Sequence, residues 1–243
     1  MTPVFPRCAV VGHGRLGTAL ASALRAAHVV VDGPLGRGAA AEDADVVLLC
    51  VPDAEIAAAA AAVTPGPGRL VGHCSGATTL APLTAHADAF SLHPLMTVTD
   101  EGARFTGATA AVAGTTDRAR VIARDLAAVL GMTPIDVADE DRPAYHAAAS
   151  IASNYLVTLA WAAERVGGLD RQALAPLVHA AVDNWEQHGA HAALTGPIAR
   201  GDEATVDLQR AAVARRAPDL ARLFDALAEA TRTLAAEREH VRA

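Results

Sequence analysis

Lysine is missing from the 243 residues, and all 20 basic side chains are arginine. That excludes a lysine Schiff base, a lysine nucleophile and a lysine proton donor from any mechanism. Aromatic residues make up only 3% of the chain although 52% of it is hydrophobic, with alanine supplying much of the rest. Helices are therefore expected to pack closely through small side chains, not around large rings. The three cysteines, Cys8, Cys50 and Cys74, are odd in number and fall in or beside expected strands, which leaves buried thiols and neither a disulfide framework nor a zinc knuckle. No apolar run approaches the roughly 20 residues of a membrane span. Residues 1–7 show no charged segment followed by a long apolar stretch, and a cytoplasmic protein is expected. A net charge of −7 with no basic run or stripe argues against a nucleic-acid partner.

What is present is an alternation. Short β-branched runs at residues 8–11, 28–31, 46–51, 70–73, 89–92, 109–113 and 133–137 are separated by alanine-rich stretches. The expected helices are 15–26, 53–63, 79–85 and 116–130. This pattern builds a parallel sheet with helices on both faces, an α/β domain over residues 1–138. Beyond it the strand signal stops, and residues 139–243 read as an all-helical domain punctuated by Gly167-Gly168, Gly189 and Gly196-Pro197.

The sharpest motif follows the first strand: Gly12-His13-Gly14-Arg15-Leu16-Gly17, a GxGxxG between strand and helix. In a dinucleotide-binding βα turn the first glycine permits the tight bend, the second lets the pyrophosphate reach the backbone, and the third allows close helix–strand packing. The helix N-terminus then faces the phosphates. Asp32 lies 20 positions after Gly12, where a ribose hydroxyl would be met, whereas Arg37 in Gly33-Pro34-Leu35-Gly36-Arg37 suits a 2′-phosphate. NADP is favoured on the premise that Asp32 turns away, and NAD remains open.

Further segments carry a family resemblance: Val51-Pro52-Asp53, His73-Cys74-Ser75-Gly76, Ser91-Leu92-His93-Pro94-Leu95, the stretch from His146 to Tyr155, and Thr195-Gly196-Pro197-Ile198-Ala199-Arg200-Gly201-Asp202. With the glycine motif they make the chain similar to the 6-phosphogluconate dehydrogenase-like superfamily, in particular its short Rossmann-like oxidoreductases with a C-terminal domain of unknown function. The resemblance implies a Rossmann domain, cofactor contacts along Gly12–Gly17, Val51 and Pro52, a helical second domain that often forms a homodimer, and reduction of a carbonyl or imine by NAD(P)H between the domains.

β-Hydroxyacid dehydrogenases of that superfamily carry a Lys and an Asn four residues apart on one helix. Here Asn154 fits the Asn and Ser150 stands at the Lys position, so the proton donor must come from elsewhere. A spacing of four puts His146, Ser150 and Asn154 on one helical face. An imidazole ordinarily titrates near neutral pH, which makes His146 the general-acid candidate, against a histidine that only bridges helices beside Tyr145. Ser75, His93 and Arg200 are the substrate-binding candidates. Their structural alternatives are a turn hydroxyl, a strand-ending histidine braced by Pro94, and a turn beside Asp202 as helix cap. A metal centre is not expected: His73, Cys74, His93 and His146 lack any HExxH or paired CxxC spacing, as do His188 and His191. The expected activity is reduction of a small 2-keto acid, ketopantoate being the first to try. An imine or pyrroline reductase is the alternative enzyme, and a dinucleotide-binding sensor without turnover the alternative from another class.

Overall fold

The structure, a computed structural model, describes residues 6–100 and 102–242, with side chains to residue 237. The chain divides between Ile151 and Ala152 into two compact units.

The first unit is built on a seven-stranded sheet comprising β1 (Cys8–Val11), β2 (Val31–Leu35), β3 (Val46–Leu49), β4 (Leu70–His73), β5 (Asp88–Leu95), β6 (Thr109–Gly114) and β7 (Thr133–Asp136). Their spatial order is β2-β1-β3-β4-β5-β6-β7, and every neighbouring pair is parallel except β5 with β6. Strands β1, β3 and β4 are buried at every position, as apolar runs covered on both faces must be. Alternate residues serve opposite faces. Val10, Leu48 and Leu92 pack with Leu20 and Leu24 of α1 (Arg15–Ala26) and Leu126 of α3 (Asp117–Val129). Val11, Val47, Leu49 and Val71 pack with Ile56, Ala59 and Ala60 of α2 (Ile56–Ala62) and with Leu83.

Two expectations need correction. The second strand starts at Val31, not His28, because the amides of Ala27, His28 and Val29 bond back to carbonyls of the last turn of α1, with His28 at φ +63°. The first half of that β-branched run is spent leaving the helix. The expected helix at 79–85 shrinks to one 3₁₀ turn, Ala81–Leu83. Pro82 has no amide to donate, and the Thr79 hydroxyl accepts from the Ala81 amide at 3.3 Å, so local turn bonds replace helical ones.

The unit closes with α4 (Arg142–Ser150), whose first turn carries Pro143. A π-helical turn, Ile151–Tyr155, precedes α5.

The second unit is helical: α5 (Leu156–Gly167), α6 (Arg171–His188), short α7 (Ala190–Ala193), α8 (Glu203–Arg216) and α9 (Ala221–Arg242). Its punctuation is local. Gly168 ends α5 in the left-handed region at φ +66°, Asp170 caps α6 by accepting from the Ala173 amide at 2.8 Å, and Asp202 caps α8 through the Thr205 amide at 3.1 Å. A small core of Val213, Ala217 and Leu220 gathers Val166, Leu223 and Phe224 around it. Neither α5 nor α6 buries a single residue. Among the described residues no helix is long and apolar enough to cross a membrane.

Candidate active site

The sheet order reverses direction between β1 and β3, and a crevice at the carboxyl ends of strands flanking such a switch point is where open α/β sheets take ligands. The glycine motif sits there. Gly12 adopts φ +117°, and a methyl on it would lie 2.2 Å from the Cys50 carbonyl oxygen. A methyl on Gly17 would lie 2.1 Å from the Gly12 oxygen. Both glycines are thus required by the backbone's own packing. Gly14 differs: it has ordinary extended backbone, nothing would meet a methyl on it within 4 Å, and as N-cap of α1 it makes no side-chain cap bond. No acidic residue stands in the first turn of α1. The loop therefore fits a diphosphate approaching over Gly14, in the field of the helix N-terminus.

Around this loop, Leu16 packs into the sheet core and Val51 lies 3.4 Å from the methyl position of Gly12. Pro52 caps the 3₁₀ turn Asp53–Glu55. His13 and Arg15 line a cleft of about 600 Å³ along α1, across which Arg15 Nε donates to Asp100 at 2.5 Å.

Asp32 does not stand at a strand end. It pairs with Ala9 inside β2, while Leu35 pairs with Val11 beside the glycine loop. Arg7 takes its carboxylate through two bonds of 2.7 and 3.0 Å, and this contact holds the Asp32 carboxyl below its ordinary range. The charged residue just past the end of β2 is instead Arg37, exposed and ion-paired with Glu55.

A second cluster forms beyond β4 and β5. His73 is fully buried; its Nδ1 accepts from the Ser75 amide at 3.2 Å, so the ring proton lies on Nε2, 3.0 Å from the Thr79 carbonyl. Burial lowers its pKa. The Ser75 hydroxyl donates to Asp53 at 2.8 Å and accepts from the amides of Ala77 and Thr78 at 3.2 and 2.9 Å. Its bonds organise the loop, with Asp53 holding it to the turn after β3. His93 receives the Tyr145 hydroxyl at Nδ1, 2.8 Å away, and the two rings meet edge to face at 5.6 Å. Burial first, then the neighbouring His146 and Arg142, pushes the His93 pKa down to about 4. His146 stands 6.2 Å from His93, ring centre to ring centre. A methyl on Gly76 would touch both rings, at 2.8 Å from His93 Cε1 and 2.9 Å from His146 Nδ1. Beneath them Arg142, 1% exposed, donates to Ser91 and, at 2.9 Å, to Asp139.

The structure thus brings His93 and His146 together and places Ser75 in the same loop cluster. Ser150 is half-buried at the end of α4, and Asn154 is exposed in the π-helical turn Ile151–Tyr155. Arg200 belongs to the second unit, exposed in the 3₁₀ turn Ile198–Arg200 before the Asp202 cap. Sequence reasoning passed over Arg142, Asp53 and the hydroxyl role of Tyr145. The spacing of four between Arg142 and His146, with Tyr145 alongside, was the available signal. Among the described residues no group of three or more His, Cys, Asp and Glu side chains converges as a metal-ligand set.

Residues 108–231, just over half the chain, match the domain of unknown function DUF2520. The chain belongs to the DUF2520 family. No curated protein matches it. Among solved structures, a Bacteroides fragilis protein, BF3122, provisionally assigned as an NADP oxidoreductase, is 17% identical with a TM-score of 0.78, covering 94% of this chain and 98% of its own. Protein TM1727 of Thermotoga maritima is 23% identical with a TM-score of 0.75 over 96% and 99% of the two chains. The Plasmodium falciparum pyrroline carboxylate reductase, with NADP bound, is 12% identical with a TM-score of 0.59 over 96% and 99%. These likenesses establish the fold: a Rossmann-like sheet followed by a helical region.

Proposed function

We propose that this DUF2520 chain is an NADP-dependent oxidoreductase of the 6-phosphogluconate dehydrogenase-like superfamily that reduces a small 2-keto acid such as ketopantoate. The observation that carries the reading is the contrast among the three glycines: Gly12 and Gly17 are demanded by the fold, while Gly14 leaves its methyl position open at an uncapped helix N-terminus. The backbone of residues 12–17 would hold the diphosphate, with Val51 and Pro52 beside it. Arg37, past the end of β2, would meet a 2′-phosphate, and the engagement of Asp32 by Arg7 removes the carboxylate that would repel one. When bound, NADPH would supply the hydride.

The chain's own part is to orient the acceptor and manage a proton. His93 and His146 flank Gly76 at the carboxyl edge of the sheet, where the substrate oxygen would lie, and the His93 ring is neutral at physiological pH. Ser75 is assigned to shaping the loop, since its hydroxyl already has three partners. A panel assay following NADPH loss with ketopantoate, other 2-keto acids and cyclic imines tests the reading. Turnover of a keto acid that falls at least about 100-fold in His93→Asn supports it; turnover of cyclic imines alone transfers the assignment to an imine reductase, the reading favoured by the likeness to pyrroline carboxylate reductase.

The active form is proposed to be a homodimer. Val157, Leu177 and Trp185 are 70%, 69% and 58% exposed on helices without a fully buried residue, large apolar side chains that a second copy of the chain would cover.

A further inference from the structure

The absence of lysine leaves the site without the ammonium that its helix position would otherwise offer, and His93 by itself is a poor acid once neutral. Its ring nevertheless has a particular set of contacts. His93 lies on β5 two residues beyond Ser91, which pairs with His73 at the end of β4, so it projects from the carboxyl edge of the sheet. Nδ1 is 2.8 Å from the Tyr145 hydroxyl. A phenol is a stronger hydrogen-bond donor than a neutral imidazole N–H, so the shared hydrogen belongs to Tyr145 and Nδ1 accepts it. The ring's own proton is then on Nε2. Among the described residues Nε2 makes no hydrogen bond, and it is not one of the sealed polar atoms. Gly76 packs against the Cε1 and Nδ1 edge of the ring, so of the two ring nitrogens Nδ1 is the occupied one and Nε2 is left as the donor.

We infer that Tyr145 is a positioning residue and proton source acting through His93: its O–H fixes the Nε2–H tautomer, and the pair relays a proton to a carbonyl oxygen. This rests on the reductase reading above. As negative charge develops on the substrate oxygen, the Nε2–H bond breaks and an O–H bond forms, while the Tyr145 O–H breaks and Nδ1–H forms. Imidazole stays neutral throughout, and the phenolate regains a proton from water. Tyr145 is half-buried: burial pushes its pKa up to about 12, with the Arg142 guanidinium partly offsetting that rise, so a phenolate formed here takes back a proton from the solvent that reaches it. The groups facing His93 are Tyr145, His146 and Arg142 from α4, Asp53 from the turn after β3 and His73 from β4. His146 and Arg142 on α4 both disfavour an imidazolium at His93, and a relay that never forms one suits that field. The same arrangement discriminates between substrate classes. A donor at Nε2 serves a C=O oxygen that must gain a proton, and it offers nothing to an iminium that arrives protonated.

Nitrogen-15 spectra of the histidine rings in the full chain, with and without Tyr145→Phe, test this. The wild type should show His93 neutral with hydrogen on Nε2 at pH 7, and Tyr145→Phe should lose that single-tautomer pattern while the fold is retained. In turnover of a keto acid, Tyr145→Phe should lower kcat about 10- to 100-fold with KM nearly unchanged. Hydrogen on Nδ1 in the wild type, or a spectrum unaltered by Tyr145→Phe, overturns the inference whatever the cofactor result. Failure of NADPH to bind in calorimetry overturns the reductase reading and the relay with it, even if the tautomer is as stated. The two failures are read by different instruments and are distinguishable.

Discussion

The strands of the first unit and the helices α5 and α6 of the second draw on the same alanine-, valine- and leucine-rich composition and bury it to opposite extents. All four residues of β3 are sealed. At about 1.5–3 kcal/mol for each fully buried Val or Leu, this one strand gains on the order of 6–12 kcal/mol before chain entropy is set against it. In α5 and α6 no residue is sealed, and Leu177 and Trp185 remain mostly in water. The sheet unit is therefore self-sufficient, and its polar residues are free to be specialised at the carboxyl edge. The helical unit has apolar surface left to bury, which is an argument about assembly rather than chemistry.

The comparison breaks most severely at Gly12. Its methyl would strike the Cys50 carbonyl at 2.2 Å in a backbone region that disfavours side chains, so Gly12→Ala should lose at least about 100-fold in NADPH affinity or fail to fold, read by calorimetry and circular dichroism. Wild-type affinity in this variant would mean that the βα turn is not packed as described. On the helical side, Leu177→Glu/Trp185→Glu should halve the solution mass measured by light scattering, from two chains to one, with the sheet unit still folded. An unchanged mass would show that these faces are not covered by a second copy.

A smaller effect sharpens the electrostatics. His93 has an ordinary pKa near 6.5 when unfolded and about 4 when folded, so between those values the unfolded chain holds more protons. Stability tied to this ring is full above about pH 6.5 and is lost as pH falls towards 4, by at most about 3 kcal/mol. Urea midpoints measured across that window should fall less steeply for His93→Asn than for the wild type. Equal slopes would contradict the burial assigned to the ring. Smallest is Arg37→Ala, which should weaken NADPH about 10-fold and leave NADH within about 2-fold. Parallel losses for both nucleotides would remove Arg37 from the 2′-phosphate.

Much of this was legible in the chain because strand burial and glycine spacing are local properties. The GxGxxG motif and the apolar runs at β1, β3 and β4 follow from period and steric demand alone. What was not legible came from register and partners. A β-branched run continuous from residue 28 puts Asp32 at a strand end, whereas the exit from α1 consumes the first half of that run, and only the pairing with Ala9 reveals where Asp32 sits. The occupation of Ser75 by Asp53, 22 residues away, and of His93 by Tyr145, 52 away, depends on side chains meeting across the sheet edge. The π turn that holds Asn154 has no signature that a spacing rule detects.

Gly14→Ala offers the most direct measurement, because its methyl meets no protein atom within 4 Å and its backbone is unstrained. Calorimetric titration of NADPH into the full wild-type chain should give clear binding heat, and Gly14→Ala, melting within about 2 °C of it, should bind at least about 10-fold more weakly. Equal affinities in the two proteins, or no heat in either, would contradict a diphosphate resting over Gly14.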